Sequence, residues 1–186
     1  MKIAILGTRG IPNNYGGFEQ CAESLSIGLV EKGHDVTVYN PDFHPYKKQD
    51  YKGVKIQHIY SPQNYLGSAA SNFVFDYLSL KHAVKQKFDI ILELGLITAA
   101  PAIIFCSKGS SIIVTNLDGL EWKRAKWSPT IRSITKWLEK FGVRNSNYLV
   151  ADNIAIQEYI KHSYNTKSEF IAYGAEEASV LSIQTI

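Results

Sequence analysis

The residues best suited to chemistry lie close together near the start of the chain: Gly7-Thr8-Arg9-Gly10-Ile11-Pro12-Asn13-Asn14-Tyr15-Gly16-Gly17-Phe18-Glu19. They follow the apolar run Ile3-Ala4-Ile5-Leu6 and precede a helical pattern that begins near Gln20. A buried strand that empties into a glycine-rich loop and then a helix is a phosphate-binding arrangement. Glycines allow close backbone approach, and the N–H groups of the first helical turn face an anion. The expected ligand is therefore phosphorylated; the competing reading is a flexible loop with glycines at its turns.

Glycine spacing narrows the choice. A dinucleotide fingerprint needs G-x-G-x-x-G directly after the strand, whereas Gly7 and Gly10 are followed only later by Gly16-Gly17. No G-K-[ST] is present, which excludes a P-loop. The loop also carries Arg9, Asn14 and Glu19. Arg9 offers a planar fork of donors to a diphosphate or an acceptor phosphate; the alternative is a salt bridge to Glu19. Glu93 ends an apolar strand, where a carboxylate is costly unless paired, so it is expected to hold Arg9 or a loop amide.

The elements that must position these groups alternate along the chain. Strands are predicted at Lys2–Leu6, Asp35–Asn40, Val54–Ile59, Asp89–Leu94, Ser111–Thr115, Tyr148–Ala151 and Glu169–Ala172. Helices are predicted at Phe18–Glu31, Ser71–Gln86, Thr98–Phe105, Pro129–Val143 and Ile154–Ser163, with Ser128 capping Pro129. Continuous apolar strands separated by helices imply an α/β fold. The expectation is a Rossmann-like, doubly wound, mostly parallel sheet of about seven strands with helices on both faces. In such sheets ligands sit outside the carboxyl ends of the strands. The glycine loop, Glu93-Leu94-Gly95, Asn116-Leu117-Asp118 and Asp152-Asn153 all fall on that rim.

Bulk properties bound the rest. A chain of 186 residues with 45% apolar and 20% charged residues suits one soluble α/β domain. No apolar run reaches membrane-span length, and Met1-Lys2 leads straight into a strand, so a cytoplasmic protein without a signal peptide is expected. Cys21 and Cys106 are too few for a disulfide framework and read as small buried residues. The five histidines are scattered, so no metal and no cofactor are expected. Asp42-Phe43-His44-Pro45 and the following lysines read as an exposed loop.

Charge is unevenly placed. Between Trp122 and Arg144 the basic residues Lys123, Arg124, Lys126, Arg132, Lys136, Lys140 and Arg144 face a single acid, Glu139, with aromatics interleaved. Such a segment suits an anionic membrane surface or ligand, reached through Lys123, Arg124, Lys126, Arg132 and Lys136. The alternative is a solvated basic face whose Ile134, Trp137, Leu138 and Phe141 form a core stripe.

The run Gly16-Gly17-Phe18-Glu19, followed by Gly33-His34-Asp35-Val36, resembles the opening of family-4 glycosyltransferases of the GT-B fold, where G-G-x-E starts the first helix and G-H-x-V leads into the second strand. The Gly7-Thr8-Arg9-Gly10-Ile11-Pro12 loop and the motif Asp118-Gly119-Leu120-Glu121-Trp122-Lys123-Arg124 resemble the rhamnosyltransferase-like subgroup of bacterial surface-polysaccharide assembly. The resemblance implies the acceptor-binding domain over residues 1–175, one half of a GT-B fold. Residues 176–186 would begin a linker or tail, and the donor-binding domain is not in this chain.

The same resemblance implies a retaining transfer from a nucleotide-sugar such as dTDP-rhamnose to a lipid-linked saccharide. Gly16, Gly17 and Arg9 would meet the donor diphosphate. Asp118 would orient or deprotonate the acceptor hydroxyl, and no nucleophile is assigned. Gly10, Asn14, Phe18, Glu19, Glu93, Asn116, Gly119, Glu121 and Trp122 would line the acceptor side, Trp122 offering a stacking face. The histidine common near this position in related enzymes is absent, since Asn116-Leu117-Asp118-Gly119 stands there. Two other classes compete. One is a non-catalytic glycan- or membrane-binding module. The other is a nicotinamide-dependent oxidoreductase, disfavoured by the missing fingerprint and by Tyr39-Asn40 where an acidic residue should end strand two. Nucleic acid is not an expected partner.

Overall fold

The computed structural model describes residues 1–106, 109–117, 119–125 and 127–174. Eight strands form one sheet: β1 (Lys2–Leu6), β2 (Asp35–Pro41), β3 (Asp50–Tyr51), β4 (Val54–Ile59), β5 (Ile90–Glu93), β6 (Ile112–Leu117), β7 (Tyr148–Ala151) and β8 (Glu169–Phe170). Their order is β3-β4-β2-β1-β5-β6-β7-β8. Every pairing is parallel except β3 with β4. The Ile, Val and Leu runs form strands because both of their faces can be covered. Ile3 sits between Val36 and Ile90 in register, and Ile91 pairs with Ile113.

The eighth strand is β3, which the hydrophobic pattern does not reveal. It is two residues long and joins β4 through Lys52 (φ 50) and Gly53 (φ 81). Two positive φ values in a two-residue loop make the turn whose twist matches a hairpin. The signal was therefore Lys52-Gly53 rather than a strand-length run.

Five helices complete the fold: α1 (Gly17–Glu31), α2 (Gln63–Lys85), α3 (Leu96–Phe105), α4 (Pro129–Asn145) and α5 (Ile154–Tyr164). On one face α1 covers Ile3, Ile5, Val36 and Val38. On the other, α2 and α3 cover Ala4, Leu6, Ile91 and Ile113, and α4 and α5 cover Leu149 and Ala151. Ser128 caps α4 through Ile131 N, as predicted, and Asn153 caps α5 through Ile156 N. α2 begins eight residues earlier than its predicted Ser71 start. Its first turns carry no buried stripe and are broken at Gly67 (φ 71), so no helical period is visible there.

Two expectations are corrected. Asp42, Phe43, Pro45, Lys47 and Lys48 are exposed as expected, but His44 is buried within this loop, and its Nδ1 accepts from Tyr46 N at 3.2 Å. In α4 the core face is Thr135, Leu138, Glu139, Gly142 and Val143, whereas Ile134 and Trp137 point outward, 53% and 54% exposed. Gly142 sits on this core face at the α3–α4 crossing, where a Cβ would lie 2.4 Å from Leu96 Cδ1 and 3.4 Å from Ala100 Cβ, so a larger side chain must displace Leu96. Gly142→Val is therefore expected to cost about 1–3 kcal/mol by overpacking, read as a lower urea midpoint; an unchanged midpoint would refute the close crossing.

Candidate functional site

The sheet changes direction between β1 and β5. From β1 the chain returns through α1 to β2 on one side, and from β5 it continues through α3 to β6 on the other. Loops diverging at such a switch point leave a crevice at the strands' carboxyl ends. Here the two loops touch. A Cβ at Gly7 (φ +80) would lie 2.0 Å from Glu93 Oε1 and 2.5 Å from Gly95 N, and one at Gly95 would lie 3.2 Å from Gly7 O. Glu93 is fully buried beneath this junction, and its Oε1 accepts from Gly95 N at 3.3 Å while Oε2 has no partner. Of the two partners expected for Glu93, the structure provides the loop amide and not Arg9.

The glycine loop is held by side chains from behind. Asn40, at the end of β2, accepts from Ile11 N (3.0 Å) and donates to Ile11 O (2.7 Å). A Cβ at Gly10 (φ +97) would strike Asn40 Cγ at 2.5 Å. Glu19 and Glu23 of α1 accept from Arg9 N (3.1 Å) and Asn13 N (2.6 Å). Glu19 thus grips the backbone of Arg9, and no ion pair joins their side chains among the described residues. The Arg9 guanidinium instead stacks over the Tyr15 ring at 4.0 Å. Beyond it α1 begins at Gly17, with Gly16 at its cap and no side-chain cap.

Gly16 and Gly17 differ in kind from Gly7 and Gly10. Gly16 has an extended φ of −167, and Gly17 starts the helix. A Cβ at Gly17 would meet nothing within 4 Å, and one at Gly16 only Glu19 Oε2 at 3.5 Å. Neither the backbone nor the packing among the described residues asks for glycine at these two positions.

Two cavities flank this helix start. One of about 480 Å³ lies on the side of α2, α3 and α4 and is lined by Gly7, Phe18, Gly95, Glu121 and Trp127 among others. The other, about 720 Å³, is lined by Gly17, Asn116, Tyr173 and Gly174 and by the half-covered strands β5 and β7. Asn116 is buried, donates to the Tyr173 hydroxyl at 2.7 Å, and keeps its Oδ1 without a partner at this cavity. The Phe18 ring meets Tyr173 edge-on at 6.0 Å.

The structure thus gathers Gly16, Gly17, Phe18, Asn116 and Glu121 around one rim. Gly10, Glu19 and Glu93 are turned inward as supports, and Asn14 is exposed on the loop. Gly119 is half-buried. Asp118 and Lys126 lie outside the described residues. Trp122 does not present a free face: Lys136 Nζ sits 3.8 Å from its ring centre and donates to the Tyr159 hydroxyl at 2.6 Å. That hydroxyl and the Tyr164 hydroxyl both donate to Glu139 Oε1. Of the basic residues expected at a surface, Lys136 is therefore engaged inside, and Arg124 pairs with Glu121 at 2.7 Å. Asn40, Glu23, Tyr15 and Tyr173 were not anticipated, and neither was Asp76 of α2. A polar residue closing an apolar strand and an acid inside Phe73-Val74-Phe75-Asp76 were the available signals for Asn40 and Asp76.

The fold is the Rossmann-like half of a GT-B architecture. Sucrose-phosphate synthase from Thermosynechococcus elongatus is similar over 94% of this chain and 48% of its own, at 12% identity and a TM-score of 0.70. UDP-GlcNAc 2-epimerase from Methanocaldococcus jannaschii covers 94% of this chain and 45% of its own at 16% identity and a TM-score of 0.56. Arabidopsis thaliana UGT89C1, complexed with UDP-L-rhamnose, covers 93% and 51% at 13% identity and a TM-score of 0.52. The chain spans about half the length of these proteins. It belongs to the family described as a domain of unknown function, DUF1972, whose model matches residues 1–176. No curated protein matches its sequence. Among the described residues no helix is long and apolar enough to cross a membrane, and no cluster of metal-ligating side chains occurs.

Under the Gly7–Gly95 junction, burial pushes Asp76 up to about 7, against a hydrogen bond from Thr98 that lowers it. Burial, and then the nearby Asp76 charge, hold Glu93 well above the usual carboxylate range. The folded protein therefore keeps protons that the unfolded chain releases near the ordinary Asp value of 3.8. For Asp76 that stabilisation is complete below 3.8 and is lost as pH rises through about 7; the Glu93 contribution has the same sign. Asp76→Asn is expected to reduce the fall in thermal midpoint between pH 5 and pH 8; an equal fall in both proteins would exclude Asp76 as its source.

Proposed function

We propose that this chain is the acceptor-binding half of a retaining GT-B glycosyltransferase of the family-4, rhamnosyltransferase-like kind. It would act with a donor-binding domain on a nucleotide-sugar such as dTDP-rhamnose and a lipid-linked saccharide of surface-polysaccharide synthesis. One observation carries the reading. Nothing among the described residues requires glycine at 16 and 17, which leaves the first turn of α1 open to a ligand.

Breaking a bond between an anomeric carbon and a diphosphate builds charge on the leaving phosphate oxygens, and fixed N–H donors and cations aimed there stabilise it. The uncapped start of α1 supplies the N–H groups. Arg9, stacked on Tyr15 at 4.0 Å, supplies the cation. The loop needs no rearrangement to hold them, because Asn40, Glu19 and Glu23 already secure it. Asp118 takes the role of orienting or deprotonating the acceptor hydroxyl. Phe18 and Glu121 border the cavity offered to the acceptor.

The test is turnover of dTDP-rhamnose with a lipid-linked acceptor, with and without a donor-binding partner domain. Turnover is expected only with the partner. Gly17→Ala should lower it by at least tenfold while leaving the thermal midpoint equal or higher, since alanine is the better helix former. Full activity in that variant would remove the diphosphate role of the helix start.

Attachment to the inner membrane face is part of the same reading, through exposed Lys123, Arg124, Lys140 and Arg144. The chain should sediment with anionic vesicles and not with neutral ones, and Lys123→Glu with Arg124→Glu and Lys126→Glu should abolish it. Unchanged sedimentation of that triple variant excludes these residues as the contact.

A further inference from the structure

The cavity of about 720 Å³ lies on the side of the sheet that α1 covers, and its size suits a small-molecule site. Half-buried Leu92 and Val150 form its floor, Leu25 of α1 one wall, and Ile171, just after β8, the other. No charged side chain lines it. Gln20 and Ser24, exposed at its edge, are bonded to each other at 3.4 Å, and burial pushes the Cys21 thiol up, which keeps it neutral. One lining side chain is both deeply buried and short of a partner. Asn116 is 1% exposed; its Nδ2 donates to the Tyr173 hydroxyl at 2.7 Å, while its Oδ1 accepts from nothing. Phe18 meets Tyr173 edge-on at 6.0 Å, which brings the first turn of α1, capped by no side chain, to the same end of the cavity.

A buried acceptor without a donor is costly, so the group that completes Asn116 must bring an N–H or O–H. The group around that donor must be uncharged, because no lining side chain could compensate a charge. A sugar ring would bring more hydroxyls than these walls can pair, and a hydrocarbon chain would bring no donor. What remains is a largely apolar body with one donor for Asn116 and one acceptor for a free N–H of the α1 start. We propose that this cavity binds an uncharged ring carrying adjacent N–H and C=O groups, the chemistry of a pyrimidine base, with its N–H donating to Asn116 Oδ1, its C=O toward Gly17, and its faces against Leu25 and Ile171. The inference stands apart from the sugar-transfer reading, whose acceptor cavity lies on the other flank of α1. The same ring chemistry comes as a free nucleoside and as the base of a nucleotide.

Calorimetric titration of the full chain with thymidine and with N3-methylthymidine tests it, because the added methyl replaces the ring donor that meets Asn116 Oδ1. Thymidine should bind about tenfold more tightly. Asn116→Leu should bring the two nucleosides to equal affinity at an unchanged thermal midpoint. If the midpoint falls, Ile171→Asp, at a position 58% exposed, serves instead, since a charge beside the ring should abolish thymidine binding. Equal affinities for the unaltered chain, no saturable binding of thymidine, a preference kept by Asn116→Leu, or binding kept by Ile171→Asp overturns the proposal. Thymidine diphosphate separates the two sources: affinity equal to that of thymidine supports a nucleoside site, and tighter binding supports a nucleotide site. No sugar is transferred in this titration, so failed transfer would leave the tenfold preference intact, and equal nucleoside affinities would leave transfer intact.

Discussion

The contact on which the site depends is between two backbones. β1 and β5 are neighbours whose outgoing loops separate to opposite faces, and Gly7 and Gly95 meet where they part. A side chain at Gly7 would overlap a carboxylate oxygen at 2.0 Å, with φ at +80 besides, so both space and backbone geometry demand glycine there. This junction brings the start of α1 and the start of α3 to one crevice. It also roofs Glu93, and burial of Glu93 and of Asp76 raises both carboxyls above the usual carboxylate range. Two neutral carboxyls are tolerable in an interior where two charges would not be.

From that junction outward the polar groups divide into two sets. Asn40, Glu19 and Glu23 spend their hydrogen bonds on loop amides and carbonyls. They resemble catalytic residues in type and position, yet they are committed to the backbone. Arg9 and the first turn of α1 are left facing outward. A loop secured from behind presents its donors without an ordering cost when a ligand arrives.

Much of the frame was legible. The long apolar strands, the capped α4 and the alternation of elements follow from periodicity and cap chemistry, which act locally. What escaped detection depends on tertiary contact. Lys52-Gly53 makes a hairpin too short to show a period. The opening turns of α2 bury nothing and so carry no stripe. In α4 a stripe of Ile134, Trp137, Leu138 and Phe141 is readable, but packing against α3 puts Thr135, Leu138, Glu139, Gly142 and Val143 in the core. Residue type picked out loops that the sheet gathers at the strands' carboxyl ends, and misjudged which side chains are left free there. Glu19, Glu93 and Trp122 look available in sequence, and partners distant in the chain engage them or enclose them.

That rotation of α4 has a cost which needs a compensating reason. Leaving Ile131, Ile134 and Trp137 about half exposed forgoes part of the roughly 1.5–3 kcal/mol that full burial of a large apolar side chain contributes. The core nevertheless takes Thr135, Glu139 and Gly142. Glu139 is made tolerable there by two tyrosine hydroxyls, and the tyrosines in turn hold Lys136 against Trp122. A polar cluster of this kind fixes orientation more than it adds stability. Its effect is to turn Ile131, Ile134 and Trp137, with Lys140 and Arg144, outward on one helix.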